Sequence, residues 1–436
     1  MLSRATLGLG LLSLGGCAAA LVIRTLRRRL SLRSIPPCAY VSRAGTLLPL
    51  DTPRWCDDQM EPLMLTRLPG LSRGEIRREE RSLWRYAAAL PMACDAPISL
   101  GEGCTPLVAR PFGGSSKVRF KCEWFNPTCS FKDRGTSVML SLLRQQGVTN
   151  VLEDSSGNGG ASVACYAAAG GMRATIMAPD STAPAKTVAM RAHGAAVELI
   201  PGSRQATADA AVAAHGRGGD LFYASHNWHP FFLQGTKTLA YELWEDLGFK
   251  APTNVIIPSG AGSNILGCDL GFSELLANGE ISALPRLFCA QPLVCSPIAT
   301  AILDALDEDD GQSPRCGGAA KRNGPPPSDS WNVPTKTVAE GTSIARPVRL
   351  PECVDAVVRS KGGAVRVTEA QIQDATFALA RIGLYTEPTC AQAAAAYETL
   401  LASGKVRADE TTVIVLTSTG VKATPSIAGL LGVGGV

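Results

Sequence analysis

Charge is scarce in this chain: Asp, Glu, Lys and Arg make up 18% of its 436 residues, against 45% hydrophobic. Such a sequence can bury a large interior, and its length suits two packed α/β domains better than one ordinary core. Acidic residues are missing altogether before Asp51, whereas the first fifty residues hold seven arginines. Without that segment the formal charge of +4 becomes near neutral or slightly acidic. No basic stripe with interleaved aromatics is present, so no nucleic-acid partner is expected. The 14 cysteines include no C-x-x-C pair, and several, such as Cys165, Cys289 and Cys390, stand in apolar or helical contexts. This usage points to free thiols in a reducing compartment, cytoplasmic or mitochondrial/organellar, and argues against a disulfide framework. There is no internal repeat beyond an alternation of β and α runs.

The apolar stretch Ala5 to Ile23 is followed by Arg24, Arg27, Arg28 and Arg29. It admits three readings: targeting peptide, membrane anchor or dispensable tail. An Arg-rich, acid-free start favours an organellar presequence, while a length of about one bilayer crossing keeps the anchor open. Residues 1–50 are set apart as an N-terminal extension, and membrane contact is expected only through residues 5–23.

From Val118 onward, strands are predicted at Val118 to Phe125, Asn150 to Glu153, Ala174 to Ala178, Ala196 to Ile200 and Leu221 to Ala224, with helical runs between them. A second series follows: the helix Phe232 to Leu247, the strand Asn254 to Pro258, the helix Gly262 to Ala277 and the strand Arg286 to Gln291. Repeated strand-helix-strand units predict an α/β protein of two doubly wound parallel-sheet domains with a cleft between them. Residues 137–232 form the smaller domain; residues 51–136 and 233–436 form the larger. Residues 304–330, with the acidic cluster Asp307 to Asp310 and then abundant Gly, Pro and Ser, read as a disordered surface insertion.

Four runs carry chemistry. In Asn126-Pro127-Thr128-Cys129-Ser130-Phe131-Lys132-Asp133-Arg134-Gly135, Ser130 and Asp133 have capping-box-like spacing that places Lys132 in the first turn of a helix. There the helix dipole and partial burial both lower the lysine pKa, and a neutral lysine can form a Schiff base. Taken alone, the same lysine reads more readily as a surface residue paired with Asp133. The run Ser155-Ser156-Gly157-Asn158-Gly159-Gly160 ends a strand and opens a helix, so its N–H groups can face an anion such as a carboxylate and leave room for a flat ring. Gly260-Ala261-Gly262-Ser263-Asn264 likewise forms a phosphate cradle. A dinucleotide site competes for that run, but Gly260, Gly262 and Gly267 miss the G-x-G-x-x-G spacing and no acidic residue closes the following strand. The fourth run, Val413 to Leu416 followed by Thr417-Ser418-Thr419, ends a buried strand in hydroxyls able to bond a pyridine nitrogen without forcing its protonation.

In this order and spacing the four runs resemble the pyridoxal 5'-phosphate (PLP) enzymes of the tryptophan-synthase-β-like class, fold type II, and among them the threonine synthases. The resemblance extends from about Tyr40 to Thr424 and includes Leu100-Gly101-Glu102-Gly103-Cys104-Thr105-Pro106-Leu107 and Glu387-Pro388-Thr389-Cys390-Ala391. It implies PLP as cofactor, Lys132 as imine lysine and proton shuttle, and Asn158 at the cofactor's ring oxygen. It further implies Gly260, Ala261, Gly262, Ser263 and Asn264 around the phosphate, Thr417 at the pyridine nitrogen, and Ser155, Ser156 and Gly157 near a small amino-acid substrate. A homodimer is expected, and the expected reaction is elimination or replacement on an L-amino acid: threonine synthesis from O-phosphohomoserine, or else serine/threonine dehydration or another β-replacement, with a non-catalytic PLP-binding relative as the reading from a different class. Two positions depart from the threonine synthases. Phe232 stands where an arginine often holds the substrate's phosphate, and Gly159 where a hydroxyl residue often follows the asparagine. The run Ala339 to Ala345 looks more like a dehydratase loop. Ser42 to Gln59 looks like a decayed zinc ribbon in which only Cys56 survives, and His226 with His229 lacks a third ligand, so no metal is expected.

Overall fold

The computed structural model describes residues 38–215, 220–306 and 337–433. The apolar stretch Ala5 to Ile23 and the acidic cluster Asp307 to Asp310 therefore lie outside the described residues. Among those described, no helix is long and apolar enough to cross a membrane.

Among the described residues, thirteen strands form three sheets. A small one, in the order β2 (Leu47–Leu48), β1 (Tyr40–Val41), β3 (Met64–Leu65), is antiparallel. A parallel sheet of four runs β8 (Ala196–Ile200), β7 (Arg173–Pro179), β6 (Asn150–Glu153), β9 (Leu221–Tyr223). The third, of six, runs β12 (Gly363–Val367), β11 (Arg286–Pro292), β10 (Asn254–Pro258), β13 (Thr412–Leu416), β5 (Val118–Cys122), β4 (Leu107–Ala109). Its strands are parallel except for the edge strand β4.

Alternation of side chains explains why the central strands are apolar throughout. Val255 and Ile257 of β10, with Val413 and Val415 of β13, enter the core shared with the helix Ser263–Ala277. Ile256, Ile414 and Leu416 enter the opposite core, shared with the helices Glu369–Arg381 and Pro388–Ala402. A sheet covered on both faces needs apolar side chains at successive positions, not at alternate ones.

The helix Lys132–Gln145 is held by charge as well as packing. Arg134 is wholly buried; its Nε bonds Glu123 at 2.7 Å and its Nη1 bonds Glu242 at 2.9 Å. Glu242 also takes Lys121 Nζ at 2.6 Å and the Thr105 N–H at 2.6 Å. The same helix crosses Pro230–Thr236 closely, because a Cβ on Gly235 would collide with the Arg134 carbonyl and one on Gly135 with the Phe232 ring.

Several boundaries move. The strand expected through Phe125 stops at Cys122, and Glu123–Phe125 forms a 3-10 turn. The helix expected from Phe232 to Leu247 is two helices, Pro230–Thr236 and Thr238–Asp246. Asp304 is part of the helix Pro297–Leu306 and not the start of an insertion. The extension set at residues 1–50 ends earlier, since Tyr40 is fully buried and pairs with Leu48 and Leu65. Replacing Arg134 by Ala leaves the Glu123 and Glu242 carboxylates buried without their cation. The expected loss is about 3–5 kcal/mol of unfolding free energy, to be read from the urea midpoint at unchanged slope.

Candidate active site

Ligands of parallel sheets gather at the carboxyl ends of the strands, and there the four runs meet. Phe131 N–H donates to the Thr417 carbonyl at 3.0 Å, and Ser418 Oγ donates to the Cys129 carbonyl at 3.0 Å. These bonds tie the segment before Lys132 to the end of β13. Asn158 opens the helix Asn158–Ala169, its Oδ1 accepting from Lys422 Nζ at 2.8 Å, while Lys422 also reaches the Thr128 carbonyl. The segment from Thr128 to Phe131 that leads into Lys132 is thus bonded to Thr417 directly and to Asn158 through Lys422. Ser155 is buried in the loop between β6 and that helix, with Ser156 half-buried and Gly157 exposed beside it. A Cβ on Gly160 would collide with the Ser155 carbonyl, so this loop can close only over glycine.

The cap predicted from Ser130 and Asp133 is not formed. Phe131 is the cap residue and makes no side-chain cap bond, and Ser130 Oγ, buried, has no partner. Asp133 instead accepts from Thr128 N at 2.6 Å, Thr128 Oγ1 at 2.5 Å and Ser162 Oγ at 2.6 Å. Lys132 therefore has no ion pair with Asp133. Its Nζ lies 4.7 Å from the ring centre of Phe131 and 5.6 Å from that of Phe232. Burial lowers its pKa to about 7, with the Glu153 carboxyl opposing and Arg204 assisting. Burial likewise raises the Asp133 carboxyl to about 6 and the Glu387 carboxyl to about 7.

Glu153 and His226 were not singled out together in the sequence. Glu153 closes β6, two residues before Ser155, and both its oxygens serve His226: Oε1 meets Nδ1 at 2.7 Å, and Oε2 accepts the backbone N–H at 3.0 Å. Burial pushes the Glu153 carboxyl up and the His226 imidazole well down. The position of Glu153 immediately before the small-residue run was the available signal. His229 goes elsewhere: its Nδ1 accepts from Phe231 N at 3.1 Å as a helix cap. Among the described residues, no group of three or more His, Cys, Asp and Glu is placed to hold a metal ion.

The family model of pyridoxal-phosphate dependent enzymes matches residues 98–418. A threonine synthase of Methanocaldococcus jannaschii is 31% identical over 81% of this chain and 83% of its own. One of Mycobacterium leprae is 29% identical over 77% and 87%. Among solved structures, an L-serine ammonia-lyase of Rhizomucor miehei superposes with a TM-score of 0.61 at 18% identity, covering 76% of this chain and 98% of that one. Threonine deaminase isoform 2 of Solanum lycopersicum gives 0.59 at 20%, covering 76% and 88%. These likenesses show the same two-domain fold.

The residues present fit the cofactor. Asn264 is buried with neither amide atom partnered, at the first turn of the helix Ser263–Ala277 whose cap is Gly262. Gly262 has φ of +85°, and a Cβ on it would collide with Cys353 Sγ; a Cβ on Gly260 would lie 3.1 Å from Ile344 and 3.2 Å from the Gly341 carbonyl. Ala261 and Ser263 complete this turn. A narrow loop with unpartnered donors at a helix N-terminus suits a phosphate. Lys132 supplies an amine that is neutral above pH about 7, and Thr417 is buried with its Oγ1 3.2 Å from Cys390 Sγ. In cofactor-free protein, acetylation of Lys132 by a limiting dose of acetic anhydride should rise as pH increases through about 7. Exposed lysines should respond only near pH about 10; peptide mapping by mass spectrometry reads both.

Proposed function

Because this chain belongs to the pyridoxal-phosphate dependent enzyme family, we propose that it carries out elimination or replacement on an L-amino acid, with Lys132 as the base at the substrate's α-carbon. The observation that carries this reading is the placement of an amine near neutrality at the strand ends, tied by backbone bonds to the hydroxyl-bearing end of β13. Bound there, PLP supplies an electron sink for the bond broken at Cα.

The chain's own groups hold and position. Lys132 would carry the cofactor and, when free, take the α-proton. Asn158 would bond the ring oxygen, Thr417 the ring nitrogen, and the turn from Gly260 to Asn264 the phosphate. The N–H groups of Ser155, Ser156 and Gly157 would receive the substrate's carboxylate at the N-terminus of Asn158–Ala169. Phe232 walls the side-chain end of the site; it is fully buried, its ring facing Gly135 and Lys132.

The kinship to threonine synthases supports their outcome, in which O-phosphohomoserine loses phosphate and water adds at Cβ. The apolar ring of Phe232 supports a second, the ammonia-lyase outcome, in which a hydroxyl leaves L-serine or L-threonine and a 2-oxo acid and ammonia are released. Turnover of the three substrates by purified, PLP-loaded protein separates them. Threonine formed from O-phosphohomoserine establishes the first; 2-oxo acid from L-serine or L-threonine without it establishes the second; neither product refutes both. Lys132→Ala should abolish turnover and the lysine-bound visible absorbance together.

A further inference from the structure

Beside the loop from Ser155 to Gly159 lies a side chain for which the preceding roles give no use. His226 follows β9 and is clasped by Glu153 through Nδ1 at 2.7 Å and through its backbone N–H at 3.0 Å. The clasp fixes the ring's direction. A Cβ on Gly159 would lie 2.8 Å from both His226 Cε1 and Nδ1, and 3.0 Å from Ser155 Oγ. The imidazole thus fills the space that a side chain at position 159 would take, beside the substrate loop. On its other side its ring centre is 5.7 Å from that of Phe232, whose ring centre is 5.6 Å from Lys132 Nζ. Nδ1 is engaged by Glu153, and no hydrogen bond within the described residues reaches Nε2. The charged and titratable groups acting on His226 and Glu153 are Lys132, Asp154 and Arg204.

We propose that His226, oriented by Glu153, is the acid that protonates the departing group, and that the wall of Gly159, His226 and Phe232 selects an L-amino acid whose leaving group is a β-hydroxyl. This rests on the elimination chemistry proposed above. A hydroxide is a poor leaving group and needs a proton as the bond to carbon breaks; a phosphate or a halide does not. Burial disfavours charge on either partner, which places the shared proton on Glu153, donating to Nδ1, and leaves Nε2–H free to donate. Lys132 takes the α-proton, the Cα–H electron pair forms the Cα–Cβ double bond, and the Cβ–O bond breaks. The Nε2 proton passes to that oxygen to give water, and the Glu153 proton passes to Nδ1, keeping the imidazole neutral. A Glu153 carboxylate then faces the Lys132 ammonium, and return of that proton restores the pair.

The bland alternative is a histidine that only satisfies a buried carboxyl, and dependence on the leaving group separates the two. The PLP-loaded wild type, His226→Gln and Glu153→Gln are assayed on L-serine and on β-chloro-L-alanine, whose chloride leaves without a proton, with cofactor absorbance monitored in each. In H226Q the rate on L-serine should fall on the order of 100-fold more than the rate on β-chloro-L-alanine, and E153Q should show the same bias to a smaller degree. Equal losses on both substrates overturn the acid role. So does a wild type that consumes β-chloro-L-alanine but neither L-serine nor L-threonine, although elimination then stands. A wild type inactive on β-chloro-L-alanine, L-serine and L-threonine alike overturns the acid role as well, and one that also forms no threonine from O-phosphohomoserine overturns the elimination reading itself.

Discussion

Arg134 lies between Glu123 and Glu242 with no solvent access, and the position of Lys132 follows from that contact. The guanidinium joins the turn after β5 to the helix Thr238–Asp246, while Lys121 on β5 ties Glu242 from the other side. A well-packed apolar cluster of the same volume could be as stable; the fork of charge-assisted bonds adds a fixed direction to the contact. Because Lys132 precedes Arg134 by two residues on the first turn of the same helix, the network sets where its amine emerges.

Exclusion of water then acts on five ionisable groups near the strand ends in the same direction, toward neutrality. It lowers Lys132 and His226 and raises Asp133, Glu153 and Glu387. Such a site brings the Lys132 amine and the Glu153 and Glu387 carboxyls close together in proton affinity, near neutral pH. The amine is thereby available to a carbonyl and as a base, and the Glu153–His226 pair lies beside it across the Phe232 ring.

Glycine gives the site its shape by letting large groups approach backbone. Gly135 admits the Phe232 ring and Gly159 admits the His226 imidazole. The two departures from the threonine synthase pattern at positions 159 and 232 therefore belong to one surface, since His226 and Phe232 face each other there. A Cβ at position 159 would press on the His226 ring, which in turn packs on Phe232, so the two positions are coupled through that imidazole.

The α/β class and the order of the chemical runs were legible because each depends on local chain features: small residues at strand ends, hydroxyls closing a buried strand, a lysine opening a helix; the cofactor came from the family resemblance those runs carry together. The Ser130–Asp133 spacing misled because spacing states only what a cap could be. Thr128 and Ser162 supply Asp133 with better partners, and one of them is twenty-nine residues away. Glu153 and His226 were hidden for the same reason, being seventy-three residues apart and brought together by the pairing of β6 with β9. The sequence alone determined which groups could do chemistry and which turns could bind an anion. Only the tertiary structure decided which of those groups lose water and which face one another, because burial and long-range pairing are properties of the packed sheets.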